Sequence, residues 1–304
     1  MQRREILTSA AAIAAGGLAM SEARVAAAAN AQGRARPALI ETADGTRLFY
    51  RDWGSGKPVV FLHSWGCNSE MWGYQMAELL DHGERCVAFD RRGHGRSDDP
   101  GRGYDADTLA DDLAAVMEVL NLRNATLVGH SMGGGEIVRY LSRHGSDRVA
   151  KVVLLAPTTP FLTKTADNSI GLDATAFEST RGLWRRDFPK WVGDLAPPFF
   201  VADTSPEMKR WLIEMLLETP LPVLLACNHV VAETDYRPDL RAMRTPTLVI
   251  HGDKDVSAPL DLTGRPTAAL IPGAKLTVYE GAPHGLFLTH MARLNHDLLA
   301  FVSA

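Results

Sequence analysis

Ser131 stands in Gly129-His130-Ser131-Met132-Gly133, a G-x-S-x-G pentapeptide between an apolar run at 125–129 and the helical spacing of Ile137, Tyr140 and Leu141. A serine on so sharp a strand-to-helix turn presents its hydroxyl outward. Glycines at 129 and 133 remove the Cβ atoms that would collide where strand and helix pass closely. A hydroxyl is a poor nucleophile until a base takes its proton, and that base needs a carboxylate to orient it. Residues 247–255 read T-L-V-I-H-G-D-K-D and residues 280–286 read E-G-A-P-H-G-L, each following or ending an apolar run. Ser131, Asp255 and His284 are therefore the expected nucleophile, acid and base. Asp253 is the competing acid, with turn capping as its plainer role. Of ten histidines, His284 alone lies in a loop directly after a strand and downstream of an acidic candidate. His144, His229, His290 and His296 fall in helical stretches, and His130 is expected to pack or hydrogen-bond behind the turn.

This chemistry is acyl transfer. Its oxyanion needs preorganised donors, each worth about 10²- to 10³-fold in rate. The Met132 backbone N–H, at the helix start, is one expected donor. The other is the Trp65 N–H in the loop His63-Ser64-Trp65-Gly66.

Positioning such a set requires strands whose ends meet. Apolar runs at 47–53, 58–63, 86–90, 125–129, 151–156, 247–251 and 275–279 read as strands, several apolar on both faces as buried parallel strands are. Helical spacing fills the gaps, with Leu109, Leu113, Val116 and Leu120 forming one stripe over 107–120. Strands alternating with helices predict an α/β fold with a mostly parallel central sheet and helices on both faces. From 157 to 241 the alternation breaks into helix-like segments rich in Pro, Trp and Phe, expected to form a helical lid; the core is then 30–156 with 242–304. Phe161, Phe177, Trp184, Phe188, Trp191, Phe199 and Phe200 are candidates to line a pocket beneath it. The run 90–98 (D-R-R-G-H-G-R-S-D) reads as a turn laced with ion pairs.

Composition narrows the partners. The 304 residues are 46% hydrophobic and 22% charged with a formal charge of −4, which offers no basic field to a phosphate backbone, so nucleic acid is excluded as an expected partner. Cys67, Cys86 and Cys227 are an odd number without C-x-x-C spacing, and no H-E-x-x-H occurs, so neither a metal nor a cofactor is expected. Residues 1–29 carry Arg3-Arg4, a weakly apolar Ala/Gly-rich stretch, Arg24 and small residues at 26–29, the pattern of a cleaved twin-arginine signal peptide. Its removal would leave 29 basic and 34 acidic residues, a mature charge of −5. A periplasmic or secreted, soluble protein is expected; whether it forms a homo-oligomer stays open.

From about Ile40 onward the chain resembles the α/β-hydrolase superfamily, and within it the cofactor-free haloperoxidases (perhydrolases) and arylesterases. The resemblance rests on F-L-H-S-W-G with M-W-G-Y-Q-M, F-D-R-R-G-H-G-R-S-D, V-G-H-S-M-G-G-G-E with R-Y-L-S-R-H-G, V-I-H-G-D-K-D-V-S-A-P, and A-P-H-G-L. It implies an α/β-hydrolase fold, Ser131 as nucleophile, Asp255 as acid 29 residues before the base His284, and oxyanion donors at Trp65 and Met132. It implies a serine hydrolase cleaving small carboxylic esters through an acyl-enzyme, with a perhydrolase side activity. Two departures stand out. The family is usually cytoplasmic, so an export signal implies an extracytoplasmic substrate. Perhydrolases resemble one another in carrying Trp-Pro where this chain has Trp65-Gly66-Cys67. The glycine is expected to leave the loop free and favour water as acceptor, with Gly66→Pro shifting the ratio toward peracid.

Overall fold

The computed structural model describes residues 38–304, and the expected leader lies outside them. A short hairpin of β1 (Ile40–Glu41) and β2 (Arg47–Leu48) precedes a seven-stranded sheet. That sheet contains β3 (Tyr50–Trp53), β4 (Pro58–Leu62), β5 (Arg85–Phe89), β6 (Ala125–His130), β7 (Val149–Leu155), β8 (Thr247–Gly252) and β9 (Lys275–Tyr279). Its order is β3-β5-β4-β6-β7-β8-β9, with only β3 antiparallel to its neighbour. The run 47–53, read as one strand, is two. The Phe49 N–H donates to the Ser97 hydroxyl at 2.9 Å rather than to a ladder, and pairing changes sheets at that point.

Every residue of β6 and of β8 is buried, which is why their sequences run apolar without alternation. One hydrophobic cluster packs on each face of the sheet, the first around Leu113, Ile137 and Val152, the second around Trp72, Phe61 and Phe287. Helices α1 (Gly73–Asp81), α2 (Ala106–Val119) and α3 (Met132–His144) cross between the early strands. Asp105 caps α2 by accepting the Thr108 N–H, so the helix starts one residue before the apolar stripe suggested.

Between β7 and β8 lie α4 (Ala174–Phe199), α5 (Pro206–Glu218), α6 (Leu221–Glu233) and α7 (Arg237–Ala242). Asp187 breaks α4 with non-helical backbone just before Pro189. After β8 come α8 (Gly264–Leu270), α9 (Leu286–Thr289) and α10 (Met291–Ser303). Among the described residues no single helix is long and apolar enough to cross a membrane.

Candidate active site

Four loops at the carboxyl ends of parallel strands converge, as open α/β sheets require of a binding crevice. β4 ends before Trp65, β6 before Ser131, β8 before Asp255 and β9 before His284. Ser131 sits between β6 and α3 with φ 55° and ψ −118°, a left-handed conformation that L side chains rarely adopt. Such strain costs about 1–3 kcal/mol and persists only when the surroundings over-determine it. Here the Ser131 N–H donates to the Leu155 carbonyl at 2.9 Å, and its own carbonyl accepts from Gly134 at 3.0 Å. The flanking glycines are needed as expected: a Cβ on Gly129 would lie 2.5 Å from the Gly133 carbonyl oxygen, and one on Gly133 would lie 2.7 Å from that of Leu62.

His284 and Asp255 meet. The imidazole Nδ1 lies 2.6 Å from Asp255 Oδ2. Asp255 Oδ1 accepts the backbone N–H groups of Ser257 and Ala258 at 2.9 and 2.7 Å, and His251 Nε2 approaches Oδ2 at 3.2 Å. Burial works to raise the Asp255 carboxyl, but the His284 charge and the hydrogen bonds of His251 and His284 outweigh it and hold the group well below the usual carboxylate range. An ionised Asp255 accepting from Nδ1–H leaves His284 Nε2 bare as a proton acceptor. Asp253 does not join this set. Its Oδ1 accepts the Gly281 N–H at 2.7 Å, the turn-capping role open to it from sequence.

Ser131 and His284 line one cavity of about 340 Å³, together with Ser64, Trp65, Cys67 and Thr158. Of the aromatic candidates, Phe177, Trp184, Trp191, Phe199 and Phe200 line it. Phe161 instead lies under the Arg237 guanidinium, and Phe188 packs against Trp184, Trp191 and Trp65 outside the lining. The cavity is mostly apolar because α4, α5 and α6 offer it Leu195, Leu212, Leu216 and Val231.

Of the two residues expected to supply oxyanion donors, Trp65 lines the same cavity as Ser131 and Met132 follows Ser131 in the chain. Met132 opens α3, so its N–H has no intrahelical acceptor. Trp65 follows β4 in a loop fastened from both sides. Its indole N–H donates to the Leu224 carbonyl at 2.9 Å, and the next carbonyl, that of Gly66, accepts from the Thr219 hydroxyl at 2.9 Å. This corrects the expectation of a free loop. Gly66 has φ +70° and a Cβ there would lie 2.1 Å from Leu216 Cδ1, so neither the backbone nor the space suits proline, whose φ is fixed near −65°.

Sequence reasoning missed Arg91, Glu136 and His63, which form a buried polar group beneath the Trp65 loop. A glutamate on the Gly-rich, sheet-packed start of a helix needs a cationic partner, and that was the available signal. The rest of the 90–98 run is an ion-paired turn as expected, with Arg92 joined to Asp112 at 2.6 Å and Arg47 to Asp98 at 2.9 Å. All three cysteines are free and buried, and burial pushes each thiol up to about 12, so none is a thiolate near neutrality. Among the described residues no group of three or more His, Cys, Asp or Glu could hold a metal.

Comparison with known proteins agrees with this geometry. The family pattern of the alpha/beta hydrolase fold matches residues 57–210. A non-heme chloroperoxidase, CPO-A1 of Kitasatospora aureofaciens, is 39% identical over 87% of this chain and 99% of its own. The bifunctional esterase/perhydrolase DCH of Acinetobacter calcoaceticus is 36% identical over 86% of this chain and 98% of its own. The crystal structure of a bromoperoxidase from Bacillus anthracis superposes with a TM-score of 0.82 at 37% identity, covering 85% of this chain and 96% of that one. With a strained serine after β6, an aspartate–histidine pair after β8 and β9, and relatives matched over nearly their whole length, the chain belongs to the α/β-hydrolase family, in its branch of non-heme haloperoxidases and esterases.

Proposed function

We propose that the protein is a metal-independent serine hydrolase of small, apolar carboxylic esters, with perhydrolysis as a secondary reaction. The observation that carries this is the 2.6 Å His284–Asp255 hydrogen bond in the cavity that Ser131 also lines. Ser131 Oγ attacks the ester carbonyl while His284 Nε2 takes its proton. The charge on the carbonyl oxygen is met by the Trp65 and Met132 N–H groups. Collapse of the tetrahedral intermediate breaks the C–O bond, and His284 returns the proton to the departing alcohol. Water then attacks the acyl-enzyme, giving its proton to His284, and the acid leaves as Ser131 is re-protonated. Hydrogen peroxide in place of that water yields a peracid by the same proton transfers, and the peracid, once released, is the oxidant for any halide. The esterase/perhydrolase and chloroperoxidase relatives support both acceptors.

The test is active-site labelling with a fluorophosphonate, read by intact mass and peptide mapping. One adduct on Ser131, none in Ser131→Ala, and loss of at least about 10³-fold in p-nitrophenyl ester turnover in that variant are expected. An unlabelled, folded wild type would leave a ligand-binding protein of the same fold.

We further propose that residues 1–29 direct export to the periplasm or medium through the folded-protein pathway, supported by Arg3-Arg4 and the small residues at 26–29.

A further inference from the structure

Arg91 is 1% exposed and Glu136 2% exposed, so their ion pair, 2.5 Å between Arg91 Nη2 and Glu136 Oε1, is withdrawn from water. The rest of the guanidinium faces one short stretch of chain, with Nη1 also 3.2 Å from His63 Nδ1. Nη2 donates to the His63 carbonyl at 2.8 Å and Nη1 to the Ser64 carbonyl at 3.4 Å. The Arg91 backbone N–H donates to His63 Nε2 at 2.9 Å. With Nε2 accepting, the His63 proton is on Nδ1, which donates to the same Ser64 carbonyl at 2.8 Å. Burial, and then the adjacent Arg91 charge, push His63 far below its ordinary value, so the ring is neutral and this tautomer persists.

The Ser64 carbonyl and the Trp65 N–H belong to one planar, trans peptide unit and point in opposite directions. Fixing the oxygen therefore fixes the direction of the N–H. Glu136 lies on α3, in the turn that follows Met132, whose N–H is the second donor. The guanidinium thus holds the peptide of one donor while gripping the helix that carries the other.

We propose that Arg91, tied to Glu136, is a positioning residue that sets the angle and separation of the two oxyanion donors. This rests on the serine-hydrolase reading above. The group does not touch the reacting atoms, and it acts only through the Ser64–Trp65 peptide and α3. Its removal should therefore cost transition-state stabilisation and leave ground-state ester binding alone. Losing one donor outright costs about 10²- to 10³-fold, and a donor turned out of line costs less.

Three variants separate positioning from stability. Arg91→Lys keeps the charge but cannot serve Glu136 and two carbonyls at once. Glu136→Gln keeps the volume and loosens the grip on α3. The pair Arg91→Met with Glu136→Leu replaces the ions by apolar side chains, a swap that is often neutral or stabilising for the fold. For Arg91→Lys and for the apolar pair, kcat on a p-nitrophenyl ester should fall about 10- to 100-fold with KM within about twofold. The inhibition constant of an arylboronic acid, whose tetrahedral adduct occupies the oxyanion site, should rise by a similar factor. Glu136→Gln should give a smaller loss in the same direction. Full activity in a folded apolar pair, or a loss carried by KM with unchanged boronate inhibition, overturns the proposal. Wild-type turnover and the Ser131 adduct are measured alongside, so a failure of the hydrolase reading appears in the wild type and a failure of this proposal only in the variants.

Discussion

His130 Nε2 lies 3.0 Å from the main-chain carbonyl oxygen of His284, so the residue just before Ser131 holds the loop that carries the proposed base. A carbonyl only accepts, which places the His130 proton on Nε2. The fixed distance between β6 and the loop after β9 is thereby written into the backbone. His130→Phe keeps the ring and loses the donor. We expect about 0.5–1.5 kcal/mol lower stability in urea unfolding and a fall in kcat larger than any change in KM. Unaltered kcat in that variant would show that the loop is held by its packing on Phe287 and Phe199 instead.

The two aspartates after β8 should separate cleanly. Asp255→Asn removes the ionised partner of His284 Nδ1 and favours the wrong tautomer, which costs about 10⁴-fold in kcat in the serine protease case. Asp253→Asn touches only the Gly281 turn and should change kcat by less than about threefold while costing about 1 kcal/mol of stability. Steady-state kinetics on both variants decide the assignment; the reverse order would make Asp253 the acid.

How far the sequence disclosed this site depends on how local each signal was. The strained turn at Ser131 was legible because strand, glycines and helix are contiguous around it. The placement of His284 and Asp255 was legible because each follows a strand closely, whereas the different contacts of Asp253, to Gly281, and of Asp255, to His284, were not. Strand positions were legible from buried apolar runs, but the switch of sheets at Phe49 was not, since it depends on Ser97, 48 residues distant. The Arg91–Glu136 pair joins residues 45 apart, and the ties of Trp65 and Gly66 reach 159 and 153 residues along the chain. Contacts of that range leave no periodic trace, and Gly66 therefore read as a point of freedom when it is a point of attachment.

Gly66→Pro is accordingly a destabilising change rather than a switch of acceptor. Proline would turn φ from +70° to about −65° and pull the Gly66 carbonyl off Thr219. Gly66→Ala should cost about 1–3 kcal/mol for the left-handed backbone, with Leu216 displaced as well. Thermal unfolding and esterase activity of both variants are the measurements. A proline variant as stable as wild type with a raised peracid yield would restore the view that this loop is free.

Stability should fall on mild acidification. Burial, then the Arg91 charge, hold His94 down to about 3 from its ordinary 6.5, and burial keeps His63 and His130 well below theirs. Once unfolded, each ring binds a proton near pH 6.5, so the stability from keeping it neutral is complete above that pH. It is lost as pH falls below 6.5, at up to about 1.4 kcal/mol per pH unit for each ring, and for His94 the loss continues toward pH 3. Urea midpoints between pH 7.5 and 5 should show this slope, and His94→Gln should flatten it. A midpoint independent of pH across that range would contradict the neutral, buried state of all three rings.

Export is checked by replacing Arg3 and Arg4 with Lys, which should leave the precursor in the cytoplasm. N-terminal sequencing of the exported form should begin near residues 27 to 31, by the small residues at 26–29. A mature protein still beginning at Met1 outside the cytoplasm would remove the cleavable leader.

The bonds from Trp65 to Leu224 and from Thr219 to Gly66 mean that α6 and the turn before it are stitched to the loop after β4. Were α5 and α6 to swing aside to admit an ester, both stitches would part and the Trp65 amide would lose its bearing. Admission by that side and bond-making would then have to alternate in time. The flank formed by α4, broken at Asp187, carries neither stitch and is fastened differently: Trp184 and Trp191 pack on the Trp65 indole, and the Phe199 carbonyl accepts the Gly285 N–H at 3.2 Å, so its far end moves only with the loop of His284.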